Sequence, residues 1–504
     1  MVTKKYFNKN GSITIFLSIS LSIIITLIFY TLESCHINSL VARSEGITYL
    51  SLDSLFGQYC LPLFEDYGLF CLNEQGLNLE NEIKKYADYN SRTPASILHD
   101  TSSFLSLTVK DVKIKDVSYI TDDDAKEFVK QVCDYVKYME LNAFADTLKD
   151  NSNSERPEVF TTNEEGALEI DFNSIDMDKA NELRKYDSKD NEASQEEDSD
   201  SNNSDSNSNN PPGDFKENAS KYIEHIIKNG LLSFLVDKPE NVSTLTTDKA
   251  VLPSVTCQLT EEGVAANLGY TKDIAKTSSD KAYFCEYIYN TFGCYLEPEN
   301  QSYLKYPIEY IIHGSNEDDV NFINCCSHII NFRLACNLVY LFSDKEKYND
   351  AKKAAEVANY IPFPGAEYLT RITILTIWAT AEALLDTKDL LSNKKVPLIK
   401  DDKTWTLELS DLTTFSKSTI SKNDGKSGLS YKRYLELLLA TEKNISLYYR
   451  TLDVIQMNIC SKYNDDFRIS NCVYSLDVDI SYSLPYIFSR KKITYKSTGH
   501  HRYR

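Results

Sequence analysis

Positive charge is in short supply. Lys and Arg number 54 against 74 Asp and Glu, which leaves a formal net charge of -20 over 504 residues. A protein that holds nucleic acid by its phosphates needs clustered basic side chains, so this balance excludes nucleic acid as a partner. The acidic surplus serves solubility. Catalytic patterns are missing as well. The seven histidines form no H-E-x-x-H, and no serine stands in a G-x-S-x-G elbow. Asp424-Gly425-Lys426-Ser427 contains a G-K-S, but Ile420 occupies the place of the first glycine of a phosphate-binding loop. Without that turn the backbone amides cannot cradle a phosphate, and the segment reads as a helix-capping loop before Ser430. Cys325 and Cys326 precede His328, yet no second C-x-x-C or H-x-x-x-H pair completes four zinc ligands, so the thiols read as small buried hydrophobes. The acidic runs Asp122-Asp123-Asp124 and Glu317-Asp318-Asp319 stand where helix N-termini welcome negative charge. No catalytic, cofactor-binding or metal-ligating residue is nominated, no cofactor is implied, and the balance lies against an enzyme.

Against these absences stands one long apolar run. No residue from Ile13 to Leu32 is charged. About 20 helical residues at about 1.5 Å each cross a bilayer core of about 30 Å. A secretory signal has a shorter apolar core and an A-x-A-like cleavage site, and this run fits neither condition. It reads as an uncleaved anchor. Lys4, Lys5 and Lys9 precede it, whereas Glu33 follows it with only Arg43 nearby. The basic flank places the N-terminus in the cytoplasm and the bulk of the chain outside. Two processing alternatives attach to the run. Gly11-Ser12, behind a basic leader, resembles a prepilin cleavage site, although Phe16 stands where pilins carry a glutamate. Leu32-Glu33-Ser34-Cys35 resembles a lipoprotein box, with Cys35 as its lipidation site, although Glu33 replaces a small or β-branched apolar residue. Ser12, Ser18, Ser20, Ser22 and Thr26 give the span a hydroxyl-bearing face. Such a face serves either close packing against partner helices or hydrogen bonds to its own backbone.

Beyond the membrane, Ile37, Leu40, Ile47, Leu50, Leu55 and Tyr59 recur at helical spacing and no proline precedes Pro62, which predicts a stalk helix half in lipid. Asp66-Tyr67-Gly68 reads as a turn, Leu105 to Ile120 as a half-buried strand, and Asp122 to Lys149 as a helix. The nearly apolar-free tract 187–214 reads as a disordered acidic Ser/Asn linker without the glycine and glutamate of a calcium loop. Helices are expected at Lys216 to Asn229, Ser278 to Phe292, Asn316 to Phe342, Asp344 to Tyr360, Ala366 to Leu391 and Ser430 to Cys460. Phe322 to Phe342 carries His328, Asn331 and Arg333, so it reads as a core helix and not a second span. Val396 to Leu409 reads as strand, turn and strand, Asn471 to Tyr486 as a strand, and His500-His501 as part of a disordered basic tail. The pairing of the 12 cysteines stays open. The fold class is thus α+β and helix-rich, in five parts: a cytoplasmic leader (1–12), a transmembrane helix (13–32), a stalk with a membrane-proximal α+β region (33–186), the linker (187–214), and a helix-rich α+β extracytoplasmic domain (215–504).

Several stretches taken together are similar to a family of uncharacterised single-pass proteins of Gram-positive anaerobes: GSITIFLS with TLES, LFEDYGLF, EYIIHGSNEDDVNFIN with FRLACNLVYLFSD, WATAEALLDTKDLLSNKKVPLIK with TWTLEL, and GLSYKRYLELLL. The resemblance implies association with Tad-type (tight adherence) pilus or type II secretion-like gene clusters and a role in the cell envelope, with no established activity. Related sequences carry a small residue where this chain has Cys35. The expectation is a membrane-anchored structural or assembly subunit whose partners are other membrane or pilus-assembly subunits and the cell wall. The alternatives are an exported enzyme acting on cell wall or peptide, and a surface lipoprotein or ligand-binding module.

Overall fold

The computed structural model describes residues 10–91, 105–149, 230–257, 274–299, 302–358 and 366–503. The expected linker and the helix expected over Lys216 to Asn229 lie outside the described residues. The class is α+β and helix-rich, with one sheet among the described residues. The chain divides into two compact units, Met1–Tyr135 with Ile459–Arg504, and Val136–Asn458.

In the first unit, α1 (Asn10–Phe56) runs for 47 residues, uninterrupted by proline or by a charge within its apolar stretch. Its second half is amphipathic: His36, Leu40, Ser44, Ile47, Ser51 and Leu55 are buried at steps of three and four, which puts them on one stripe. The stripe packs on α3 (Leu79–Ser91) through Leu79, Ile83 and Ala87, and on Val478, Ile480 and Tyr482 of the sheet. The expected stalk is therefore no free-standing rod. It ends at Phe56, short of Tyr59, and Leu50 faces outward. Next, α2 (Leu61–Tyr67) begins with Pro62 in its first turn and stops at Gly68. Gly68 has φ 70°, and its N–H donates to the Phe64 carbonyl. A Cβ there would fall 2.4 Å from the Tyr135 ring, so a glycine closes this turn. The first residues of α4 (Asp122–Lys149) also belong to this unit.

The sheet has β3 (Cys472–Pro485) at its centre. β2 (Thr108–Tyr119) pairs antiparallel with it, Val112 opposite Ile480, as does β4 (Lys492–Arg502), with Gly499 opposite Val478. The two-residue β1 (Leu72–Asn73) pairs with its start. β3 is buried along most of its length, with neighbours on both edges. Two expectations change here. His500 and His501 lie in β4 instead of a disordered tail, because eleven residues of β3 supply their ladder. Residues 459–504, grouped in the sequence reading with the second region, supply the central strand of the first.

Within the second unit, α5 (Leu231–Leu235) and α6 (Pro253–Thr256) are short. The longer elements are α7 (Ile274–Thr291), α8 (Pro307–His313), α9 (Asp318–Ser343), α10 (Lys345–Ala358), α11 (Ala366–Leu391), α12 (Tyr431–Thr441) and α13 (Asn444–Lys462), the last reaching into the first unit. The helix expected over Ser430 to Cys460 breaks at Glu442, which is extended, and its carbonyl accepts from Lys281 Nζ at 2.6 Å. The hairpin expected over Val396 to Leu409 does not form. Only an isolated bridge joins Val396 to Leu429, and Leu409–Thr413 is a 3-10 turn. The backbone groups of this segment are occupied by side chains, as follows.

Candidate functional site

Three places gather polar or chemically interesting groups. The first is a charge cluster inside the second unit. Arg333 on α9 and Asp386 on α11 are buried, with Arg333 Nε 3.0 Å from Asp386 Oδ2. Lys400 bridges Asp386 and Glu382, both also on α11. Arg333 Nη1 donates to the carbonyls of Pro397 at 2.9 Å and Leu398 at 2.7 Å. Glu382 accepts from the amides of Thr406 at 2.9 Å and Leu407 at 3.0 Å. The indoles of Trp378 and Trp405 both donate to the Leu407 carbonyl, at 2.9 and 2.7 Å. Two helices thus hold an extended segment by taking the hydrogen bonds a partner strand would have taken. Burial would raise the Asp386 carboxyl, but Lys400 and Arg333 outweigh it and hold it below the usual range. Burial would lower Lys400, and Asp386 with Glu382 holds it above. Two cations face two carboxylates with their donors satisfied, which is the arrangement of a structural lock.

The second place centres on Glu309 of α8. Its Oε1 accepts from the Tyr295 amide and the Tyr431 hydroxyl, each at 2.9 Å, while Oε2 has no hydrogen-bond partner among the described residues. Burial pushes its pKa up to about 7. Nearby, Asp453 accepts from Tyr310 Oη at 2.8 Å and from the Ser254 amide at 2.9 Å. The end of α8 is closed by Gly314, and Arg450 and Lys249 donate to the carbonyls of Ile311, Ile312 and Gly314. His313 meets the His328 ring edge-on at 4.6 Å; burial lowers its pKa to about 4, with His328 and Arg450 adding to the effect. The motif EYIIHGSN is therefore the joint that closes α8 and enters α9.

Several buried thiols are held protonated. Burial pushes Cys285 and Cys294 up to about 12, and raises Cys325 and Cys326 well above the ordinary value. A thiol held protonated is neither nucleophile nor metal ligand. Among the described residues no group of three or more His, Cys, Asp or Glu is placed to hold a metal ion.

The third place is the exposed apolar end of α1. Ile13–Phe56 contains a candidate membrane span, and its large apolar residues from Ile13 to Leu32 are 41% to 72% exposed. Asp318–Ser343 also passes the length and composition test, but it is α9, whose Arg333 and Asn337 are buried against Asp386. Gly11 and Ser12 fall in the first turn of α1. Cys35 lies exposed in unbroken helix, its carbonyl accepting from Ser39 Oγ at 2.8 Å. Ser20 and Thr26 donate to the carbonyls of Phe16 and Ser22, at 2.8 and 2.7 Å, so these two hydroxyls bond their own helix. Glu33 holds a role that the sequence conceals. Its two oxygens accept from the amides of Ile487 at 3.0 Å and Phe488 at 3.1 Å, in the turn between β3 and β4. Phe29, one helical turn before Glu33, meets the Phe488 ring with centroids 4.8 Å apart and planes tilted by 52°.

Residues 211–484 match a family of unknown function, DUF5702, a span covering more than half of the chain, and the protein belongs to that family. No curated protein and no solved structure matches.

Proposed function

We propose that this protein is a membrane-anchored extracytoplasmic component of a pilus-like or secretion-related envelope machine of the Tad type, serving structure or assembly, with its N-terminus in the cytoplasm. The observation that carries most weight is α1: an exposed apolar run long enough to cross a bilayer continues without a break into a helix docked on a folded sheet. Such a helix couples whatever it meets in the membrane to the folded unit above it. The similarity of the membrane segment and the EYIIHGSN, WATAEALL and TWTLEL stretches to proteins of Tad-type clusters supports the assignment. The buried, neutral setting of the polar clusters favours a scaffold over an enzyme acting on wall polymer or peptide.

Photo-crosslinkers at Ser18 and Ser22 in native membranes are expected to trap helices of pilus or secretion subunits, and deletion of the protein to abolish pilus assembly or the linked secretion. A deletion strain that assembles and secretes normally would sink the reading. Intact mass of the native protein is the companion measurement. A start at Met1 or Val2 with a free Cys35 fits a permanent anchor. A start at Ser12 makes the chain a processed pilin-like subunit, and a lipidated Cys35 makes it a surface lipoprotein.

A further inference from the structure

We infer that the turn between β3 and β4, Tyr486 to Lys492, is a lipid-docking element that seats Phe488 at the bilayer boundary and presents Arg490, Lys491 and Lys492 to anionic headgroups. The inference rests on the reading of α1 as a membrane span. Its position follows from a contact and a length. Phe29 lies three residues before the end of the apolar run, roughly 4 to 5 Å below its end at about 1.5 Å per residue. The Phe488 ring lies against Phe29, tilted with centroids 4.8 Å apart, so it shares that depth at the edge of the apolar layer. Phe488 is 53% exposed and Phe29 48% exposed, which leaves both rings a face directed at whatever surrounds the span. The turn is held there, because Glu33 accepts the amides of both Ile487 and Phe488 and the Tyr486 amide bonds the Lys491 carbonyl. Those hydrogen bonds satisfy backbone groups that would otherwise meet the apolar layer unpaired.

The chemistry of the surroundings selects lipid as the occupant. Arg490, Lys491 and Lys492 are exposed and follow the aromatic tip after Ser489. Residues 480–504 contain no Asp or Glu, in a chain whose net charge is -20. A basic cluster beside an aromatic ring at the end of an apolar helix matches the order of a bilayer: acyl chain, interface, charged headgroup. Phosphatidylglycerol supplies the complementary charge.

The test uses the full-length chain in nanodiscs carrying brominated lipids, with F488W and I23W read separately by tryptophan emission. Trp378 and Trp405 are buried in the second unit, and the unsubstituted protein supplies their background. Ile23 lies mid-span and 63% exposed, so I23W reports on the anchor alone. Expected are loss of F488W emission to bromines near the headgroups, loss of I23W emission to bromines deep in the chains, and a blue shift of F488W when phosphatidylcholine is replaced by phosphatidylglycerol. R490Q/K491Q/K492Q is expected to abolish that shift. If I23W is quenched while F488W responds only to an aqueous quencher, the docking element is overturned and the anchor stands. If I23W is not quenched, the anchor fails and the inference with it. A blue shift that survives the triple substitution overturns the headgroup contact.

Discussion

At the scale of single residues, Glu309 and His313 sit four positions apart on one short helix and are perturbed in opposite senses. Unfolded, Glu309 ionises near its ordinary value of 4.5, whereas the folded chain keeps its proton to about 7. The folded state therefore binds more protons between these values, and this site loses stability as pH rises through that window. His313 is the reverse. Its folded value of about 4 lies below the ordinary 6.5, so the unfolded chain takes up its proton first and stability falls as pH drops from 6.5 toward 4. Relative to wild type, E309Q is expected to gain stability between pH 5 and pH 8, and H313N to gain it between pH 7 and pH 4.5. Chemical unfolding followed by Trp378 and Trp405 emission, both in the second unit, reads the two differences. An E309Q difference that does not change with pH would mean that Glu309 is ionised throughout. The charge cluster makes a sharper case. K400M leaves Glu382 and Asp386 buried without their shared cation, and breaking a buried pair costs about 3 to 5 kcal/mol. K422M, at an exposed pair with Glu408, is the control, and an exposed pair contributes about 0 to 1 kcal/mol. Equal midpoints for the two variants would refute the lock.

At the scale of elements, periodicity made most helices legible. α11 and the strands β2 and β3 fall close to the expected bounds, at Ala366–Leu391, Thr108–Tyr119 and Cys472–Pro485. The failures share one cause. Val396 to Leu409 alternates like a hairpin, yet Arg333, Glu382 and Trp378, which lie outside the segment on two helices, take its carbonyls and amides. Glu33 looked like a misfit in a lipoprotein box because its partners, the amides of Ile487 and Phe488, are more than 450 residues distant. His500 and His501 looked like a tail because β4 is polar and alternates weakly; its order comes from β3. Gly499 marks where β4 passes α1, since a Cβ there would lie 2.7 Å from Thr48 Cγ2 and 2.8 Å from Leu52 Cδ1. G499V is expected to cost about 1 to 3 kcal/mol through overpacking, read as a lowered unfolding midpoint of the first unit by hydrogen exchange of β3 amides. An unchanged midpoint would mean that α1 and β4 part easily.

For the whole molecule, the candidate membrane span was the most legible feature, since twenty uncharged residues in a row stand out in an acidic chain. The composition of the first unit was the least legible, because a central strand from the far part of the chain announces nothing about its partners. That arrangement sets an order of events. Thr48 on α1 and Tyr482 on β3, joined by a 2.9 Å hydrogen bond, are 434 residues apart. At about 5 to 20 residues per second, roughly 20 to 90 s of synthesis separate them. Through that interval the buried stripe of α1 has no β3 to cover it. A chain stopped after Lys462 is expected to be short-lived in pulse-chase measurements, and a lifetime equal to that of the full chain would contradict this. On the proposed reading of α1 as a membrane span, a chain that has not yet made β3 is expected to sit at the bilayer with an open hydrophobic flank, within reach of membrane proteases.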